Sequence, residues 1–268
     1  METESALYEA DLAQTLANRE RLSANSNLMH WYGELYSEMF RQEPEIAMKT
    51  VLEIGSGTSP LKRFLPNVIT SDVLKLDYLD IVFDCHEIAR LPDIADHSVD
   101  VITMTNVLHH LKDPLAFLRG ATRKLAKGGR VYVTEPYLSW LSYPMYKLLH
   151  HEPVDLSIRR PVLDTVQGPL STSNQAMPHM IFFSGQTGSL SFRIVTASIR
   201  QVSAISLHSP TWRPAGYLRD FLCLVGFISL ISSLIRQWVV PCPRCSPHSS
   251  QPVSLQETRR EDGLASPG

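Results

Sequence analysis

The sequence predicts an α/β fold, a doubly wound and mainly parallel sheet behind an N-terminal helical cap. Three observations carry that prediction. Two amphipathic runs with helical spacing occupy residues 1–48. From there on, short apolar runs alternate with helical segments, the pattern of parallel strands joined by crossovers. The first of those strands breaks into glycines, and an acid closes the second.

The elements run in order along the chain. "LYEADLAQTLANRERL" has apolar positions at helical spacing and no Pro or Gly, and "NLMHWYGELYSEMFRQE" is a second such run. "TVLEIG", "VITSDV" and "DIVFDC" read as three strands. "VDVITMTNV" is a fourth, apolar enough to be buried on both faces. "DPLAFLRGATRKLAKGG" predicts a helix capped by Asp113, with Pro114 in its first turn and Gly128-Gly129 as its stop. "RVYVTEPY" is a fifth strand. Beyond about residue 156 the signal weakens: "GPLSTSNQAM" is loop-like, and "MIFFS" and "FRIVTA" are candidates for two further strands.

Bulk properties narrow the function classes. The chain has 268 residues, a formal net charge of −2, 44% hydrophobic and 19% charged residues. There is no overall basic field for nucleic acid. The acidic, polar start lacks a basic region followed by an apolar core, so no secretory signal is expected. Four cysteines, Cys85, Cys223, Cys242 and Cys245, do not make a disulfide framework in a chain of this length, and a reducing, cytoplasmic setting is expected.

The chemistry is concentrated in "TVLEIGSGTSPLKRFLPNVITSDV". Gly55 and Gly57 come directly after a strand, with a helix start at Ser59-Pro60. Backbone without Cβ can pass close to a ligand there, and free amides at a helix start favour anionic or strongly polar groups. In doubly wound sheets ligands bind beyond the carboxyl ends of the strands. Asp72 lies 19 positions after Glu53, near the spacing of about 20 expected of an acid that accepts both hydroxyls of a ribose. A dinucleotide fingerprint would need a third glycine. Here the string is "EIGSGTSP", and Glu53 would oppose a pyrophosphate but suit a cation or an amino group.

An acid followed by G-x-G, a ribose acid at the end of the next strand, "FDCHEIARLPDIADHSVDVI" and "TNVLHHLKDPLAFLRGATRKLAKGGRVYVTEP" occur here in order and at the right spacing. Over roughly residues 48–140 the chain resembles the class I S-adenosylmethionine-dependent methyltransferases, type 11-like, in the small-molecule group with the ubiquinone- and menaquinone-type enzymes. The resemblance implies a Rossmann-like fold, S-adenosyl-L-methionine as cofactor and methyl transfer to a small-molecule acceptor such as a sugar, lipid precursor or quinone. It implies that Glu53 holds the methionine amino end through the Gly55–Gly57 turn, Asp72 the ribose, and Asp84 the adenine with Cys85 beside it. Ser59 stands where the family has a third small residue.

The remaining candidates are weaker. Asn106 either lines the cofactor pocket or caps a helix. Of His109-His110, one could act as a general base, although the family often has "LHH" there for structural reasons. Glu135 either touches substrate or closes the sheet. Trp31 and Tyr32 could form an apolar lid. "HHEP" at 150–153 offers no second ligand pair nearby in sequence, and Cys242 and Cys245 lack the context of a zinc ribbon or a thioredoxin motif, so no metal is expected. The alternatives to an active enzyme are a non-catalytic cofactor-binding relative and, less favoured, a nicotinamide-dependent oxidoreductase.

The tail has a different texture. "FLCLVGFISLISSLI" is 15 residues, short of the roughly 18 or more needed to span a bilayer, so no stable membrane insertion is expected. The stretch "VVPCPRCSPHSSQPVSLQETRREDGLASPG" is rich in Pro, Ser and charge and reads as disordered. Some members of the resembled family carry a segment like Thr-Pro-Phe-x-Tyr-Leu-x-Ser-Gly-Gly after the core. Permissible codons for "AISLHSPTWRPAGYLRDF", read from the last base of the codon for Ala204, encode His-Leu-Thr-Pro-Phe-Thr-Tyr-Leu-Ala-Ser-Gly-Gly. The chain is therefore expected to comprise a helical cap (1–48), a cofactor-binding domain (49–200) and an atypical tail (201–268) translated out of frame.

Overall fold

The computed structural model describes residues 2–183 except 139, 141 and 151, together with the strand segments Arg193–Val195 and Arg236–Pro241. The N-terminal cap consists of α1 (Glu2–Ala24) and α2 (Ser26–Met39). Asn25 separates them, and its side-chain oxygen accepts from the Leu28 N–H at 3.0 Å, as a helix N-cap should. Trp31, Leu35, Tyr36 and Met39 recur at helical spacing and form the buried face of α2.

The sheet is assembled from β1 (Val51–Ile54), β2 (Ile69–Asp72), β3 (Ile81–Val82), β4 (Val99–Thr105), β5 (Leu125–Glu135), β6 (Arg193–Val195) and β7 (Arg236–Pro241). The order is β3-β2-β1-β4-β5-β7-β6. The first five strands are parallel, and β7 runs antiparallel between β5 and β6. The strand order reverses at β1, so the crevice beyond the carboxyl ends of β1 and β4 is where a ligand is expected.

Period-two alternation along the central strands divides the core into two layers. Leu52, Ile54, Ile102, Met104, Val131 and Val133 pack on Phe117 and Leu118 of α4 (Pro114–Lys124). Val51, Val101 and Tyr132 pack on α2 and on the short α3 (Leu61–Phe64). Glu53 shares the face of Val51, and so its carboxylate points toward the cap rather than toward α4.

Three expectations are corrected. The α4 helix ends at Lys124, not at Gly128-Gly129. The Lys124 ammonium is buried and donates to the carbonyls of Leu91 and Ile94 at 2.8 and 2.7 Å and to Asp96 at 2.8 Å, while Leu125 already pairs with Val99 as the first residue of β5. Gly128, with φ 84°, and Gly129 lie in the register break between that pair and the next, Val101 with Arg130. "MIFFS" is not a strand. Met180–Phe182 close the helix α6 (Ala176–Phe182), with Ile181 and Phe182 set against the α4 layer; short apolar runs fit either period. α5 (Ser142–Leu149) precedes it. "FRIVTA" contains β6. Of the tail, only β7 lies within the described residues; the run at 221–235, Cys242 and Cys245 lie outside them. The end of β7, residues 239–241, opens the stretch expected to be disordered and pairs instead with β5. No helix among the described residues is long and apolar enough to cross a membrane.

Candidate active site

The site begins where β1 ends. Gly55 turns the chain in the left-handed region at φ 75°, and a Cβ there would lie 2.3 Å from Val107 Cγ2. Only glycine satisfies both conditions. Gly57 is equally confined, since a Cβ would meet Thr15 Cγ2 at 2.8 Å and Asp72 Oδ2 at 3.0 Å. Its N–H instead donates to Asp72 Oδ2 at 2.9 Å, and Asp72 Oδ1 accepts from the Leu74 N–H at 3.0 Å. The acid closing β2 is thereby tied to the glycine turn closing β1. Burial raises the pKa of Asp72 against the pull of these amides.

Glu53 lies one layer deeper and is 1% exposed. Ser59 Oγ donates to its Oε1 at 2.5 Å, and Ser56 Oγ to its Oε2 at 2.7 Å. Burial pushes its pKa up to about 7, although both hydroxyls and Arg19 draw it down. The chain brings Gly55, Gly57, Asp72, Asp84, Cys85 and Asn106 onto the wall of one cavity of about 620 Å³, the size range of small-ligand pockets. Glu53 is not on that wall. The cavity-wall group nearest to it is the Ser59 hydroxyl that it orients.

Asp84 caps the 3-10 turn Cys85–Arg90, accepting from the His86 N–H at 2.9 Å and facing His86 Nδ1 at 2.7 Å. His86 holds its carboxyl below the usual range. Burial pushes the Cys85 thiol up, so it stays protonated. Asn106 is a turn residue on the wall rather than a helix cap. Its φ is 56°, a conformation Asn tolerates, and its N–H donates to the Thr134 carbonyl at 2.8 Å.

The loop after Asn106 is held from behind by Glu135, itself 1% exposed. Its Oε1 accepts from the N–H groups of Val107 and Leu108 at 2.8 and 2.6 Å, and its Oε2 binds His109 Nδ1. Glu135 thus anchors the loop and does not reach the cavity, nor does the buried His109; His110 does. Burial would lower the pKa of His109, but Glu135 and Glu152 outweigh it and raise it to about 10.

The cap contributes more than sequence reasoning assigned it. Tyr8, Asp11, Thr15 and Arg19 recur at helical spacing along α1 and face the domain. Arg19 donates to the carbonyls of Gly57 and Ser59 at 3.3 and 3.1 Å and lies 3.9 Å over the ring of Tyr78. The Tyr78 hydroxyl also donates to the Gly57 carbonyl, at 2.6 Å. Asp11 accepts from the Leu170 N–H at 2.9 Å and the Ser171 hydroxyl at 2.8 Å, which fastens residues 168–171 over the same cavity. The signal was present as a polar stripe on a helix, hidden because apolar stripes are the ones that announce packing. Of the expected lid pair, Tyr32 lines the cavity and Trp31 does not.

This arrangement can be compared with known proteins. The sequence matches a family described as a methyltransferase domain over residues 15–186. No curated protein matches it in sequence. Among solved structures it is similar to a methyltransferase of Haloferax volcanii in complex with the Trm112 methyltransferase activator, at 16% identity and TM-score 0.47, covering 91% of this chain and 99% of that one. It is similar to an S-adenosylmethionine-dependent methyltransferase of Thermotoga maritima at 16% identity and TM-score 0.48, covering 84% and 98%, and to one of Archaeoglobus fulgidus at 14% and 0.43, covering 78% and 94%. The chain belongs to the class I S-adenosylmethionine-dependent methyltransferases.

The raised pKa of Glu53 has a measurable consequence. Between the ordinary value of 4.5 and about 7, the folded chain keeps a proton there that the unfolded chain releases. Stability therefore falls as pH rises through that window. Denaturant unfolding of the ligand-free protein should show the wild type losing up to about 3 kcal/mol relative to Glu53→Gln across it. A difference that does not change with pH would contradict the assignment.

Proposed function

We propose that the Gly55–Gly57 turn and Asp72 hold the nucleoside of S-adenosylmethionine, and that the chain methylates a small-molecule acceptor enclosed by the cap. The observation that carries this reading is the Asp72 carboxylate on the cavity wall, fixed at 2.9 Å to the Gly57 N–H. The residues present fit the cofactor. Both glycines put backbone without a side chain on the cavity wall, and each Asp72 oxygen accepts one amide and has a lone pair left for a ribose hydroxyl. Ser59, backed by Glu53, would face the amino end, with Tyr36 Oη 3.0 Å from the same hydroxyl. Asp84, Cys85 and Asn106 would flank the adenine.

The cofactor supplies an activated methyl group on a sulfonium. The protein's share is alignment, exclusion of water and acceptance of a proton. α1 and residues 168–171 would exclude water. His110 is the histidine on the wall and, in the ion-free protein, the candidate base for an acceptor hydroxyl; buried His109, held by Glu135, stands beside it as a positioning residue. The cavity, walled by Tyr8, Tyr32 and Tyr36 and covered by the cap, supports an acceptor of small size such as a sugar, lipid precursor or quinone. A cytoplasmic setting rests on the sparse cysteine usage of the sequence.

The domain limits and the out-of-frame origin of residues 201–268 belong to the same proposal. Resequencing that finds no insertion or deletion relative to close relatives would contradict that origin. For the site itself, calorimetric titration should show S-adenosylhomocysteine binding in the micromolar range. Asp72→Ala should weaken it at least about tenfold, the equivalent of losing one charge-assisted hydrogen bond. A folded wild type that does not bind it would overturn the proposal.

A further inference from the structure

We propose that His109, His110 and Glu152 form a binding site for a divalent transition-metal ion at the cavity wall, with the Gln175 carboxamide as a fourth ligand. Three segments distant in sequence meet there: the 3-10 turn Leu108–His110, the stretch around Glu152, and the start of α6. Backbone bonds lock them together. The Asn174 N–H donates to the His109 carbonyl at 2.9 Å, and the Gln175 N–H to the Pro153 carbonyl at 3.0 Å.

The spans suit a coordination shell. One ligand atom from each of the three residues lies within 4.8 Å of the others. His109 Nε2 is 3.1 Å from Glu152 Oε2, and His110 Nε2 is 3.5 Å from Glu152 Oε1. Two donors that are each about 2.1 Å from a tetrahedral ion stand about 3.4 Å apart. An ion could enter this cluster with little movement.

The outer contacts set the tautomers. His109 Nδ1 is held by Glu135, and His110 Nδ1 lies 3.1 Å from the Thr172 carbonyl. An N–H donated at each Nδ1 turns both Nε2 atoms toward the Glu152 carboxylate, where a bound ion would take the place of the proton that His109 shares with Glu152. A carboxylate or carbonyl behind the far nitrogen is the usual support of a metal-binding imidazole. The rings are neighbours in chain and space, with centroids 4.3 Å apart.

Gln175 supplies the independent observation. It is 2% exposed, and its carboxamide oxygen is buried without a donor. Its Nε2 lies 3.2 Å from His109 Nε2 and also contacts Glu152 Oε2. Amide ends are assigned by their partners. Without an ion the Glu152 carboxylate selects the nitrogen for this side; with an ion between them, exchange of the two ends would set the oxygen beside His109 Nε2 and complete a set of two nitrogens and two oxygens. Imidazole and carboxylate donors favour zinc, cobalt or ferrous iron over magnesium or calcium.

A second cluster, Asp84 with Cys85 and His86, has comparable spacing but no such preparation. His86 uses Nδ1 on Asp84, and its Nε2 accepts from the Asp113 N–H at 3.2 Å. Of the "HHEP" motif, only Glu152 joins the proposed site; His151 lies outside the described residues.

The test is titration of zinc alone into full-length protein stripped with a chelator, with cobalt uptake followed by its visible absorption. The expected result is one equivalent bound, weakened on the order of a hundredfold or more in His110→Ala and Glu152→Gln and unchanged in His86→Ala. Circular dichroism shows whether each variant is folded, and parallel titration with S-adenosylhomocysteine separates this site from the cofactor reading, which can fail without it. No uptake by the folded wild type, or equal uptake by all variants, overturns the proposal. Should both ligand variants misfold, anomalous scattering from zinc-soaked wild-type crystals decides: a peak among His109, His110 and Glu152 supports the site, and a peak elsewhere or none overturns it.

Discussion

The buried carboxylate of Glu53 is the constraint on which the rest of the site depends. An acid in the middle of a central strand is costly to bury unless its oxygens find donors. Here they find the hydroxyls of Ser56 and Ser59, three and six residues on. Satisfying both forces the chain to fold back over the end of β1, which requires the left-handed turn at Gly55. That turn brings the Gly57 N–H to Asp72 and its carbonyl to Arg19 and Tyr78. Cap, first strand and second strand are thus joined at one point.

A second buried carboxylate repeats the device two strands along, beyond β4. Glu135 ends β5 and takes up two loop amides and the His109 ring. The loop from Asn106 to His110 is therefore set by a residue that never touches the cavity. Its Val107 side chain fills the space a Cβ at Gly55 would need. The two turns fix each other, and the cavity between them is rigid on the side where cofactor would lie. The opposite side is closed by α1 and by residues 168–171, which Asp11 holds.

Much of this was legible in the sequence. The strand starts, the glycine turn and the acid of β2 can be read from a buried run, a break and a spacing. Glu53, Asp72 and Glu135 were all visible, but sequence does not distinguish an acid on the wall from one a layer behind it. That difference depends on which hydroxyls and amides return to it. Nothing in the sequence marks Ser56 and Ser59 as donors to Glu53, or the polar stripe of α1 as a packed face. The extent of α4 was missed because Lys124 ends the helix by capturing three distant oxygens, a tertiary effect on a residue with good helix propensity. The meeting of His109, His110 and Glu152 was out of reach for the same reason, as more than forty positions of chain separate them.

A crystal structure of the full chain with S-adenosylhomocysteine tests the central claim most directly. The account predicts ribose hydroxyls on the Asp72 carboxylate, the amino end against Ser59 with Glu53 behind it, and backbone contact along Gly55–Gly57. Ligand density with the ribose away from Asp72, or outside the crevice beyond β1 and β4, would contradict it.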